Sequence, residues 1–245
     1  DRINRIPVLM GALGIAFIPL ILVFKEPDLS TSLVILAIVA AILFSSKLSW
    51  RYIVPGLVLA AILVVIVFLD ALSGDPKLLG DYQADRILAW LHPEDYQLTI
   101  AYQSIQSRTA IGTGGLYGVG LFQNGGTVPV PTTDFIFGII SEELGLIGAS
   151  IVILLFLSLS LRILWIGAHA EDVFGKLVCI GIGVMIAVQS AIHIGVSTAV
   201  LPNTGLPLPF VSYGLSSLTA NMMGIGLVLR INVESKKTKL RRYGV

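Results

Sequence analysis

The residues of this 245-residue chain whose types and spacing could do chemistry are three acids and a run of glycines. Asp134 stands at the mouth of an apolar segment, and Glu142 and Glu143 lie inside it. An acid carried into a bilayer is costly, so an unpaired cluster there marks a functional site by default. Ahead of it run Gly112, Gly114, Gly115, Gly118 and Gly120, then Gly125 and Gly126. The run is not a dinucleotide fingerprint, because position 117 is Tyr and no strand precedes it, and it lacks the Lys of a phosphate loop. Its physical content is a backbone that can turn sharply and approach something closely. Backbone N–H groups holding a pyrophosphate headgroup are one use of it; close packing of loop on helix is the other. No His/Cys/Glu spacing supports a zinc site, no Ser-His-Asp set is visible, and no nucleic-acid partner is expected.

These residues must be positioned by membrane helices. Hydrophobic residues make up 55% of the chain and charged residues 13%, and the mean hydropathy is +0.89. A soluble domain carries about 25% charged residues, so the solvent here is lipid. A spanning helix needs about 20 apolar residues. Six stretches qualify, at 7–24, 31–44 (extended at both ends), 52–69, 135–161, 175–201 and 215–231. Lys and Arg stay cytoplasmic. With the N-terminus inside, the inner segments hold 12 of the 16 basic residues. The expected fold is therefore an all-α polytopic bundle of six transmembrane helices, N-in and C-in. Residues 1–69 give three helices and 70–133 a long outer loop. Residues 134–231 give three more helices with a re-entrant loop at about 201–214, and 232–245 form a basic cytoplasmic tail lying against anionic headgroups. Cys179 reads as a small hydrophobe in a helix. The chain has no initiator Met and no signal peptide, and is expected to be a piece of a longer protein.

The connections carry the detail. Asp28 or Ser30 can cap the second span after Pro27. A structureless loop longer than about 12–15 residues is usually functional or disordered. The aromatic and aliphatic content of 70–133 argues against disorder. Ile87, Leu88 and Leu91 recur at helical spacing and predict an amphipathic helix stopped by Pro93, with Trp90 at headgroup depth. Thr132 or Thr133 can cap the fourth span. On a continuous helix Glu142 lies about 80° and Glu143 about 180° around from Asp134, so Glu142 is expected to share a cavity with Asp134. Gln189 and His193 are four apart in the fifth span and read as interhelical glue. The segment 201–214 is apolar yet full of helix breakers. Irregular backbone at membrane depth is tolerated only where protein buries it or it lines a cavity, so this loop is expected to fold back near Asp134.

Taken together, these residues resemble the SEDS family (shape, elongation, division and sporulation; RodA, FtsW and SpoVE), and RodA-type members most. The matching pieces are Glu26-Pro-Asp-Leu-Ser-Thr, Tyr82-Gln with Arg86-Ile, and Tyr102-Gln with Gln106-Ser. They continue through Ala110-Ile-Gly-Thr-Gly-Gly-Leu, Thr133-Asp-Phe-Ile-Phe, Glu142-Glu-Leu-Gly, and Gly205-Leu-Pro-Leu-Pro-Phe-Val-Ser-Tyr-Gly. The resemblance implies a GT-C-like bundle, here lacking the family's first spans, in the bacterial cytoplasmic membrane with its active site on the outer face. It implies a peptidoglycan glycosyltransferase that polymerises lipid II and works with a class B penicillin-binding protein. Asp134 matches the family's essential acid. Arg86, Gln106, Ser107, Gly112, Gly114, Gly115, Thr133, Glu142, Ser212 and Tyr213 are its expected substrate-binding residues. Relatives often carry Pro-Glu-x-His-Thr-Asp before the apolar run, where this chain has Pro129-Val-Pro-Thr-Thr-Asp. Val130 and Thr132 therefore cannot serve as acid–base partners of Asp134.

Lipid II carries an α-linked sugar and the glycan is β-linked, so one inverting displacement with one general base suffices, and Asp134 is the candidate. The pyrophosphate leaving group needs positive charge or oriented N–H groups. Arg86 is the first candidate, and Mg²⁺ or another divalent cation held by the acidic outer face is the alternative. A lipid II flippase using the acids as ion sites, or a non-catalytic morphogenesis scaffold, are the competing readings. A flippase should place its polar site near the midplane, whereas here the polar cluster lies on the outer side.

Overall fold

A computed structural model describes residues 6–26, 28–46, 48–73, 76–123, 125 and 134–242. They form eight α-helices: α1 (Ile6–Lys25), α2 (Leu29–Ser45), α3 (Trp50–Leu72), α4 (Asp81–Leu91), α5 (Tyr102–Gly114), α6 (Ile136–Ala168), α7 (Val173–Ser197) and α8 (Leu215–Arg242). A 3₁₀ turn at Pro93–Tyr96 follows α4, where Pro93 prevents the helix from continuing. Among the described residues there is no strand. Three helices, α3, α6 and α7, are long and apolar enough to cross a membrane, and shorter apolar stretches occupy Leu13–Val23 and Ser30–Ser45.

The centre of the bundle is the α6–α7 pair, with α2 packed on α7, α5 on α6 and α8 against both. Ile163, Ile166, Cys179, Ile186 and Val228 form the core between α6, α7 and α8. Gly167 lets α6 approach α7 so closely that a Cβ there would stand 2.7 Å from the Cβ of Cys179. Small residues at such a crossing let helices pack without a hydrophobic driving force between them. A second cluster of Ala110, Phe135, Ile139 and Val196 ties α5 to the start of α6 and the end of α7. Helix α3 is peripheral: it packs mainly on α4, through Ala71, Leu79 and Ala84, and Val58, Ile62 and Leu69 face outward.

Helix α2 is capped by Asp28, whose carboxylate accepts from Ser30 N at 3.1 Å and Thr31 N at 2.9 Å. Helix α6 begins at Ile136, with Phe135 in the cap position and no side-chain cap bond; Thr132 and Thr133, the predicted caps, lie outside the described residues. The long segment between α3 and α6 holds α5 as well as the predicted α4. The α5 sequence is nearly neutral in hydropathy and ends in glycines, so neither periodicity nor propensity announces it. Helix α8 continues unbroken through the basic residues to Arg242, and an exposed Arg230–Glu234 pair at 3.3 Å lies on it one turn apart.

Helix α6 is not the continuous helix that the sequence leads one to expect of this stretch. It breaks at Gly145, whose φ of 65° and ψ of −169° suit a residue without a Cβ. The Gly-rich run fills the break. Val119 N donates to the Glu142 carbonyl at 2.9 Å and Gly120 N to the Glu143 carbonyl at 3.1 Å. In return, Leu146 N donates to the Gly115 carbonyl at 2.9 Å and Ile147 N to the Leu116 carbonyl at 3.3 Å. Backbone groups freed by the break are thus re-paired by a loop that comes in close enough only because it is glycine. A Cβ on Gly118 would overlap the Glu143 carbonyl, and one on Gly145 would overlap Gly118 N.

Gly145→Ala and Gly118→Ala should each cost more than the ~1–3 kcal/mol of backbone strain alone, seen as a lower unfolding midpoint in detergent. Gly112 lies inside α5 with nothing within 4 Å of its Cβ position. Gly112→Ala should instead be neutral or stabilising by about 0.5–1 kcal/mol.

Candidate functional site

Asp134 sits in the turn immediately before α6, half-buried. Beneath it Phe135 is fully buried in the α5–α6–α7 cluster, which fixes the backbone from which the carboxylate projects. Asp134 lines a cleft of about 340 Å³ with Tyr82 and Arg86 of α4, Thr99 and Ile100 of the following turn, Tyr102 and Gln103 of α5, and Asn203.

Arg86 is held by its own helix. Its Nη2 donates to the Tyr82 hydroxyl at 2.7 Å, and the guanidinium lies 4.5 Å from the centre of the Tyr82 ring. Residues four apart meet on a helix face, so α4 pre-orders the cation. Its Nε is buried without a partner among the described residues. The same holds for Asn203 Oδ1, and both residues also border a smaller adjoining hollow of about 40 Å³ with Trp90, Ser104 and Arg108. Among the described residues no ion pair joins Asp134 to Arg86. A negative and a positive group therefore share an open cleft without neutralising each other.

The segment after α7 closes one side of the cleft. It is irregular, with Ala199, Gly205 and Phe210 at positive φ, and Leu206, Leu208 and Ser212 are buried. Its carbonyls are taken up by side chains from four helices. Ser30 Oγ of α2 donates to Thr204 O at 3.3 Å and Trp90 Nε1 of α4 to Ala199 O at 3.0 Å. Ser107 Oγ of α5 donates to Ser197 O at 2.8 Å. From α7, His193 Nδ1 meets Leu206 O at 2.7 Å. The loop thereby brings Gly205 to Asp134: a Cβ on Gly205 would stand 3.7 Å from Asp134 Oδ2.

Of the described residues the sequence singled out for binding, Arg86 alone shares the cleft with Asp134. Glu142 does not line it. The helix begins after Asp134, so helical angles do not relate the two. Glu142 is instead buried to 2% exposure, where Oε1 accepts from Gly125 N at 3.1 Å and Oε2 has no partner among the described residues. Ser107 is spent on the Ser197 carbonyl and on close packing against Gly138, and Ser212 Oγ accepts from Leu208 N at 2.8 Å inside its own loop. Gly114 packs on the backbone of Ser141 and Glu142, while Gly112 and Gly115 have open space at their Cβ positions. Gln106 is half-buried outside the cleft and Tyr213 is exposed; Thr133 lies outside the described residues. Trp90 is not simply an interfacial anchor, because its N–H secures Ala199 O. Tyr82, Gln103 and Asn203 are cleft residues the sequence reasoning did not select. The Tyr82–Arg86 spacing of four was the available signal for the first; Asn203 carried none.

Among the described residues no group of three or more His, Cys, Asp and Glu side chains could hold a metal ion. The cleft offers a divalent cation the single carboxylate of Asp134, which suits Mg²⁺ only where it keeps waters and shares phosphate oxygens.

Comparison with known proteins gives this geometry its setting. The model of the FtsW/RodA/SpoVE family, described as cell cycle proteins, matches residues 3–237. Peptidoglycan glycosyltransferase MrdB of Escherichia coli K12 is 39% identical over 229 residues, 92% of this chain and 60% of that protein. Stage V sporulation protein E of Bacillus subtilis is 40% identical over 230 residues, again 92% and 60%. Among solved structures, a chain of a peptidoglycan synthase complex that coordinates polymerization and crosslinking superposes with a TM-score of 0.76. It is 27% identical, over 96% of this chain and 64% of that one. RodA of Thermus thermophilus, as its D255A mutant, shares the fold with a TM-score of 0.61 at 24% identity, over 94% of this chain and 58% of that one. The chain thus spans about 60% of the length of the curated relatives it matches. Over that length it is a member of the FtsW/RodA/SpoVE cell cycle protein family.

Proposed function

We propose that this chain carries the polymerising site of a peptidoglycan glycosyltransferase, acting on lipid II at the outer face of the bacterial cytoplasmic membrane. The observation that carries the reading is the cleft itself, in which Asp134 and a pre-ordered Arg86 face one space without pairing. That is the arrangement an inverting displacement at a sugar pyrophosphate needs. Asp134 takes the proton of the acceptor sugar's hydroxyl as its oxygen attacks the donor's anomeric carbon. The bond from that carbon to the pyrophosphate breaks, and Arg86 meets the negative charge gathering on the leaving oxygen. Tyr82, Gln103 and Asn203 supply hydrogen-bonding groups for the sugars. The names of relatives sharing 39% identity support the same reaction class.

Six spans, with both ends in the cytoplasm, accompany this proposal. The basic residues sort that way, and the cleft-lining segments then all fall on the outer side. A class B penicillin-binding protein is the proposed partner. Its support is the likeness to a chain from a complex that couples polymerization with crosslinking.

The test is glycan synthesis from lipid II by the full-length protein with its penicillin-binding partner, in the presence of moenomycin to silence unrelated transferases. Asp134→Asn should lower turnover by about 10²–10⁴-fold while still folding and binding the partner. Wild-type turnover in that variant would remove Asp134 from the chemistry. Arg86→Gln should lower turnover by about 10²–10³-fold, the usual loss of a charge-stabilising donor. An effect confined to KM would instead make Arg86 a binding group only. Lipid II crossing liposome membranes with no polymer formed would favour a flippase.

A further inference from the structure

His193 is fully buried in α7. Its Nδ1 lies 2.7 Å from the carbonyl oxygen of Leu206. A carbonyl only accepts, so Nδ1 carries the proton, and in the neutral ring Nε2 is left with a bare lone pair. That nitrogen is buried and has no partner among the described residues. The working half of the ring is therefore the Nδ1 half. What it grips is the residue next to Gly205, and the Cβ position of Gly205 is 3.7 Å from Asp134 Oδ2. Leu206 is thus held by the imidazole, and its neighbour Gly205 lies against the Asp134 carboxylate. His193 does not line the cleft.

We propose that His193 is a positioning residue for Asp134: its Nδ1–H fixes Leu206, which seats Gly205 as the wall against which the carboxylate is set. Other donors hold the same loop, but Ser30, Trp90 and Ser107 bond at Thr204, Ala199 and Ser197. Ser30 and His193 thus secure the two neighbours of Gly205, Ser30 at Thr204 through the longer bond of 3.3 Å and His193 at Leu206 through the shorter one of 2.7 Å. Loosening the wall leaves the substrate groups of α4 and α5 in place and displaces the base, and a misplacement of about 1 Å can cost ~10²-fold in rate. This inference rests on the polymerase reading for its catalytic consequence, though not for the clamp itself.

Two amide substitutions separate the halves of the ring. Asn bears its nitrogen on Cγ, where imidazole bears Nδ1, whereas Gln carries it one atom further, toward the Nε2 position. In the full-length protein with its partner, His193→Asn should retain kcat within a few-fold. His193→Gln and His193→Leu should lose about 10²-fold in kcat with KM for lipid II little changed, which uniform damage to the bundle would not produce. Amide hydrogen exchange, read by mass spectrometry over residues 203–212, should rise in the Gln and Leu variants and not in Asn. If the Leu variant does not fold, the Asn–Gln pair decides alone. Rescue by Gln rather than Asn, equal damage in both, or wild-type kcat and exchange throughout would overturn the proposal. A wild-type protein that makes no polymer would defeat the polymerase reading, while the exchange pattern would still judge the clamp.

Discussion

Irregular backbone inside an apolar bundle has to find its hydrogen bonds within the protein, and the stretch after α7 is where this chain meets that demand. A buried carbonyl left without a donor costs about 1–3 kcal/mol, and no water replaces the donor in hydrocarbon. Four such carbonyls between Ser197 and Leu206 are met by Ser30, Trp90, Ser107 and His193. These donors come from α2, α4, α5 and α7. Satisfying one loop therefore fixes the relative placement of four helices, including the two outer-loop helices that line the cleft. The site's rigidity follows from this requirement and not from the loop's own conformation.

The break at Gly145 solves the same problem from the other side. There α6 gives up helical bonds, and the Gly-rich run restores them with two donors and two acceptors. The break lies about three helical turns beyond Asp134 and its pairing partner is the segment that directly follows α5, so it locks the end of α5 to α6. It also buries Glu142 under the run, in contact with Gly125 at the edge of the segment that leads to Asp134. Glycine is needed here for close approach, at Gly114, Gly118 and Gly145, and the headgroup-cradle use of the run finds no support at Gly114 or Gly118.

What could be read from the sequence follows this division between composition and contact. The apolar class of the chain, the cap at Asp28, the α4 helix and its stop at Pro93 are local properties, carried by a few neighbouring residues each. The break at Gly145 was not legible, because a glycine in an apolar helix looks the same whether or not a loop inserts beside it. Nor was α5, whose Ser, Thr, Gln and Gly content gives no helical signal. Ser107 and Ser212 were read as binding groups because exposed and buried serines are identical in sequence; their hydrogen bonds to Ser197 and Leu208 are long-range or loop-internal facts. Asn203 is not legible for the converse reason, since nothing local distinguishes a cleft amide from a surface one, whereas Gln103 lies in the matched Tyr102-Gln piece without being among the expected binding residues.

The pairing that does not form explains the rest of the cleft. A carboxylate and a guanidinium in contact would satisfy each other and leave little field for a substrate. Arg86 avoids this by being tied to Tyr82 on its own helix, through a hydrogen bond and the face of the ring, while Asp134 is rooted through Phe135 in a different cluster. Each charge is anchored to separate scaffolding. Trp90 ties that scaffolding together, because it bonds from α4 to the loop at Ala199 that also reaches Asp134 through Gly205. The separation of charge is therefore a property of the fold. On the proposed reading, a bound pyrophosphate sugar would find both groups already in place, which is the condition under which electrostatic stabilisation costs no reorganisation at the moment of reaction.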